Sequence, residues 1–131
     1  MRERIVERFN DFKNALQRLE EGINFEPSNE IIVDGVIQRF EFTFELAWKL
    51  LKDILEYEGI EVKSPRSAIK EGYKAGLVSD GEAWIDMMID RNKTSHVYEE
   101  KEAKAIYKKI KDAYIGLFKE LKEHAEEYVR E

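Results

Sequence analysis

Cysteine is missing altogether, which removes both a disulfide framework and a thiolate metal site. Histidine is scarce. His96 and His124 are the two present, too far apart for a compact His-rich metal motif, so carboxylates are the remaining metal donors. Apolar runs are short and interrupted by charge, and no basic-then-apolar leader opens the chain. Membrane spanning and secretion are therefore not expected, and a cytoplasmic protein is. An excess of positive charge is also lacking. With 28 acidic against 22 basic residues the formal net charge is −6, which argues against a broad electrostatic footprint for nucleic acid. A small site at a local positive patch remains compatible with RNA. Glutamine occurs only at Gln17 and Gln38 while charged residues make up 38%, a bias that fits a heat-adapted source. Strand alternation, internal repeats and low-complexity tails are absent as well. What is left, at 131 residues, reads as one helical domain, 1–131, with a single core.

Helical periodicity accounts for most of the chain. From Met1 to about Glu21 the apolar positions Ile5, Phe9, Phe12, Leu16 and Leu19 trace one narrow stripe, and Gly22 is placed to end the helix. After a connector containing Pro27, with Ser28 or Asn29 as N-cap, a long helix is expected from Glu30 to Glu58, closed by Gly59. Its stripe of Val33, Ile37, Phe40, Phe44, Ala47, Leu51 and Ile54 is widened by Trp48 and Leu55. An apolar arc that broad implies burial on two fronts, against its own bundle and a second subunit. Gly35 inside this helix points to a kink or a close contact. Ser64-Pro65 opens a short helix that Ala75-Gly76 closes, and Ser79 with Glu82 matches a capping box for the next. The final helix, from Glu99 or Glu100 to near Tyr128, carries Ala103, Ile106, Ile110, Ala113, Leu117, Leu121 and His124. His124 reads as a capping or rim residue, and the tyrosines as packing residues with hydroxyls in water. Four principal helices with short joins make an antiparallel four-helix bundle, with one additional short helix.

Chemistry concentrates at Arg91-Asn92-Lys93-Thr94-Ser95-His96-Val97-Tyr98, where one helical pattern stops and another begins. Arg91 and His96 are five residues apart, about 140° on an unbroken helix, so they face a common point only if the helix ends between them. Asn92, Thr94 and Ser95 favour caps and turns, which allows such a break. Trp84, Met87 or Met88, and Arg91 share one side of the preceding helix, so the guanidinium leaves the buried side and needs an anion. Glu41 and Glu45 lie one turn apart on the long helix, with Arg39 nearby. They are either polar lining of a pocket that pairs with a cation such as Arg91, or ordinary solvated positions. The junction likewise has a plain alternative, in which Arg91 and His96 only cap helix ends.

Arg91, four residues, His96, one residue, Tyr98 resembles the motif of HEPN-domain proteins, in particular the HepT-like toxins. The segment Arg39-Phe40-Glu41-Phe42-Thr43-Phe44-Glu45-Leu46-Ala47-Trp48-Lys49 is similar to the long second helix of the related nucleotidyltransferase substrate-binding proteins. The resemblance runs from about Phe9 to Tyr114, and Arg91, Asn92, His96 and Tyr98 all fit it. It implies a HEPN-like bundle paired as a homodimer, the motif lining a cleft between subunits, and a small MNT-type nucleotidyltransferase as partner. Toxin members of such families are metal-independent endoribonucleases without a cofactor. Their partner silences them by attaching AMP to the motif tyrosine, here Tyr98. The resemblance equally admits a non-catalytic subunit that binds a nucleotide or other substrate and presents it to the nucleotidyltransferase.

Overall fold

The computed structural model describes residues 2–96 and 99–130. Helix α1 covers Arg2–Ile23, α2 Glu30–Tyr57, α3 Pro65–Lys74 and α4 Gly81–Lys93, after which comes a 3₁₀ turn, Thr94–His96. The last helical stretch is α5, Glu100–Lys109, then a π-helical turn, Ile110–Tyr114, then α6, Ile115–Arg130. No strand occurs among the described residues. Helices α1, α2, α4 and the continuous α5–α6 stretch form the all-α bundle, and α3 is the additional short helix. None of the described helices is long and apolar enough to cross a membrane.

The stripe on α1 is buried from Ile5 to Leu19, against α2 and α6. Helix α2 packs against every other helix, which explains the width of its apolar arc. Val33, Ile37, Phe40, Phe44, Ala47, Leu51, Ile54 and Leu55 are all inside, while Trp48 is partly covered. Aromatic rings tie these surfaces together. Trp84 of α4 meets Phe118 of α6 edge-on at 5.8 Å and lies 6.4 Å from Phe44 of α2. Phe118 continues to Phe12 and Phe40, and Phe40 stacks on Tyr114 at 5.6 Å. Each such pair contributes about 0.5–1.5 kcal/mol beyond the burial of its area.

Polar straps fix the ends of the helices. Arg8 of α1 bonds to the buried carboxylate of Asp53 on α2 at 3.0 Å. Arg39 donates to the carbonyl of Arg18 at 2.6 Å, placing a cation near the C-terminal turns of α1 and away from Glu41 and Glu45. The connector before α4 is held by α6: Glu120 accepts from the Ser79 N–H at 3.2 Å, and His124 Nδ1 donates to the Leu77 carbonyl at 2.9 Å. The guanidinium of Arg2 donates to the Val129 carbonyl at 2.9 Å, so the start of α1 and the end of α6 lie side by side.

Several local expectations are corrected. Gly22 does not end α1 but is buried in its last turn, where an added Cβ would come within 3.3 Å of Val36. The absent side chain there lets two helices approach. Gly35 is the opposite case: α2 runs through it, and an added Cβ would meet nothing within 4 Å. At α4 the cap is Asp80 rather than Ser79: its carboxylate accepts from the Ala83 N–H at 3.0 Å and meets the positive end of the helix, which starts at Gly81. In the last helix Ala113 is exposed and Leu117 only partly covered. The π-turn adds a residue to one turn, so the buried stripe passes from Ile110 to Tyr114, Phe118, Leu121 and Ala125.

Candidate functional site

Helix α4 sets the site. Trp84, Met87 and Met88 anchor its inner face, and Arg91 leaves that face two turns after Trp84. The guanidinium Nη2 donates to Glu45 Oε1 on α2 at 3.3 Å. The other oxygen of Glu45 accepts from the indole Nε1 of Trp48 at 3.2 Å, so both carboxylate oxygens are engaged. With one-quarter of Arg91 and over one-third of Glu45 exposed, solvent screens the pair, and its net worth is about 0–1 kcal/mol. Its value is directional: the fork of Arg91 is aimed, and its Nε is buried without a hydrogen-bond partner among the described residues. Glu41, one turn before Glu45, is half-buried and forms no ion pair among the described residues.

The helix does end between Arg91 and His96. The N–H of Thr94 bonds to the Arg91 carbonyl, and the Thr94 hydroxyl donates to the same oxygen at 2.7 Å. This closes α4 into the 3₁₀ turn that carries His96. His96 is thus the last residue of that turn, exposed, and does not open the next α-helix, which starts at Glu100. Asn92 is exposed on the last turn of α4. The expectation for Tyr98 falls outside the described residues. Arg91 and Glu45 are therefore brought together; Glu41, Asn92 and His96 make no hydrogen bond to them or to one another among the described residues.

One buried group was not foreseen. Asp90, next to Arg91, is only 5% exposed. Its Oδ2 accepts from the Tyr114 hydroxyl and pairs with Lys109 Nζ at 3.2 Å. Tyr114 is therefore not a packing residue with a wet hydroxyl. Burial, then the bond to Asp90, then the charges of Asp90 and Asp86 raise its pKa far above the usual phenol value, so it remains a proton donor. The four-residue steps Ile110, Tyr114, Phe118 gave no signal of this arrangement, since Val36, Phe40, Phe44 make the same steps within the regular helix α2.

A hollow of about 410 Å³ lies over this group, lined by Ile89, Lys93 and Ala113 among others, and a groove of about 860 Å³ runs between α3 and the start of α4. Arg91 and His96 line neither. No group of three or more His, Asp or Glu side chains able to hold a metal ion is found among the described residues.

Comparison with known proteins agrees with this architecture. Residues 7–127 match the family described as "Nucleotidyltransferase substrate binding protein like". A Haemophilus influenzae protein named "Probable ribonuclease HepT" is 32% identical over 91 residues, which is 66% of this chain and 62% of that relative. The chain thus spans less than two thirds of that relative's length. A crystal structure of a Thermus thermophilus protein superposes with a TM-score of 0.76 at 33% identity, covering 92% of this chain and 99% of the other. A second structure, from Haemophilus influenzae and described as revealing the fold of a substrate binding domain of a nucleotidyltransferase, gives a TM-score of 0.80 at 27% identity, covering 90% of this chain and 98% of the other.

Proposed function

Because this chain belongs to the nucleotidyltransferase substrate binding protein like family, we propose that it is a HEPN-type toxin subunit: a metal-independent endoribonuclease paired with a nucleotidyltransferase antitoxin. The observation that carries the reading is the corner itself. An arginine aimed by a carboxylate on the central helix is followed, past the helix end, by an exposed histidine on a short turn. The likeness to a protein named a ribonuclease supports the same choice.

The reaction is transfer of a phosphodiester within RNA. The ribose 2′-oxygen forms a bond to its own phosphorus, the bond from phosphorus to the 5′-oxygen of the next nucleotide breaks, and a 2′,3′-cyclic phosphate and a 5′-hydroxyl result. His96 takes the 2′-hydroxyl proton, a task suited to an imidazole at neutral pH. Arg91 holds the phosphate by its planar fork and offsets the charge that develops on the non-bridging oxygens. The leaving 5′-oxygen needs a proton, and a second His96 supplies it if two chains pair about a two-fold axis. Exposed apolar residues on α2 support such pairing: Ile31 is 83% and Phe42 61% exposed, and Phe42 lies one turn before Glu45. Asn92 and Glu41 line the same cleft, and Tyr98 is the residue the partner modifies with AMP.

The test is incubation of the purified protein with RNA in EDTA. Cleavage is expected, and Arg91→Ala or His96→Ala lowers it by about 10²–10⁴-fold, with the thermal midpoint of the His96 variant near that of the parent. Cutting that survives the double substitution overturns the assignment. A second reading is favoured by the family description and by Glu45 already occupying the guanidinium. In it the corner binds a nucleotide without cleaving RNA and presents it to the partner. Intact mass after mixing with the nucleotidyltransferase and ATP separates the two: added AMP on Tyr98 supports the toxin, an unchanged mass the presenting subunit.

A further inference from the structure

We propose that Tyr114, acting through its hydroxyl bond to Asp90, is a positioning residue for the Arg91–His96 corner, holding the last turn of α4 at the rotation that keeps the guanidinium aimed. The inference rests on the reading of that corner given above, and concerns how its geometry is maintained. Asp90 and Arg91 are successive residues, so their side chains leave α4 about 100° apart. One is fastened to the π-turn and α5, through Tyr114 and Lys109; the other is fastened to α2, through Glu45. Two anchors on two different helices leave the end of α4 no free rotation about its own axis. A third contact closes the triangle, since the Tyr114 ring stacks on Phe40 of α2.

A purely structural role accounts poorly for these residues. A buried carboxylate carries a desolvation cost that an apolar side chain of similar volume avoids. The π-turn disturbs the regular helical ladder, and such turns recur at functional sites. Here it is also the device that brings residue 114 to the buried face, where a regular helix would have left the phase at Ala113. Stability alone would be served by phenylalanine at 114 and an apolar residue at 90. The hydroxyl–carboxylate pair supplies direction instead, one residue away from the group that has to be aimed.

The experiment compares Tyr114→Phe, Asp90→Ala and Asp90→Asn in the full chain. Tyr114→Phe keeps the ring and removes one hydroxyl, and Asp90→Asn keeps a carbonyl oxygen that can accept from it. Two readouts are taken. One is the Arg91 Nε–H resonance in ¹⁵N-arginine-labelled protein, assigned by its loss in Arg91→Lys, together with its titration by inorganic phosphate. The other is RNA cleavage, resolved into kcat and KM. Tyr114→Phe and Asp90→Ala are expected to shift or broaden the resonance and to lower kcat by about 10–100-fold, the scale of a small misplacement of reacting groups. KM changes little, and Asp90→Asn recovers most of the loss. A parent-like resonance and parent-like kcat in Tyr114→Phe overturn the proposal, whatever the change in thermal midpoint. If the parent protein cuts no RNA, the nuclease reading falls separately. The resonance and the phosphate titration then decide alone: altered values in Tyr114→Phe uphold the positioning role, and unaltered ones end it.

Discussion

Two carboxylates are buried to the same degree, Asp53 on α2 and Asp90 on α4, each 5% exposed. Asp53 sits within the long helix α2 and faces α1, with the cation Arg8 at 3.0 Å. Asp90 sits one turn from the end of a shorter helix, shares a phenol and an ammonium group, and faces a register change in the helix opposite. Equal burial therefore serves different ends. Between two long helices packed against each other an ion pair fixes which surfaces meet. At a helix end beside exposed residues, a branched hydrogen-bond network fixes an angle, which is what the positioning role proposed for Tyr114 requires.

That contrast can be broken most forcefully at the α1–α2 pair. Arg8→Ala strands a buried carboxylate and is expected to destabilise the protein by about 3–5 kcal/mol, read as a lower urea midpoint. Asp53→Ala should cost less, because the head of Arg8 is already partly exposed. Neither substitution touches the α4 corner, so cleavage per folded molecule should be unchanged; equal costs, or a loss of turnover, would erase the distinction between the two regions. A smaller effect probes Asp90. The folded-state pKa of Tyr114 lies above its unfolded value near 10, so its contribution to stability is complete below pH 10 and is lost as pH rises through the folded value. Thermal midpoints between pH 9 and pH 11 should fall more steeply for the parent than for Tyr114→Phe. Parallel curves would mean that the phenol titrates as if in water. The smallest effect concerns Gly35, through which α2 runs unbroken. Gly35→Ala adds a Cβ to open space within a regular helix and should stabilise by about 0.5–1 kcal/mol. A destabilised variant would instead reveal a bend that matters.

Much of the architecture was legible in the residues because periodicity and burial share one cause. The stripe from Ile5 to Leu19, the broad arc of α2 and the inward phase of Trp84 and Arg91 all follow from apolar spacing, and all are observed. The partner of Arg91 was legible only as one of two alternatives: Glu41 and Glu45 read either as pairing with such a cation or as solvated positions, and Glu45 makes the pair. Asp90 was not legible, since an aspartate near a helix end looks solvated until the opposite helix is known. The π-turn escaped for the same reason. Its extra residue is stabilised by what Tyr114 touches across the bundle, and no local preference of Ile110 to Tyr114 announces it. Ser79 failed as a cap because its neighbour Asp80 takes the role, its carboxylate accepting from the Ala83 N–H.

The bond from Arg2 to the Val129 carbonyl has a topological corollary. With the two extremities adjacent, a short linker could join them into a closed ring without disturbing the packing, and the ring could be opened at an exposed connector such as residues 24–29. A module fused at either end would project from one and the same pole of the bundle.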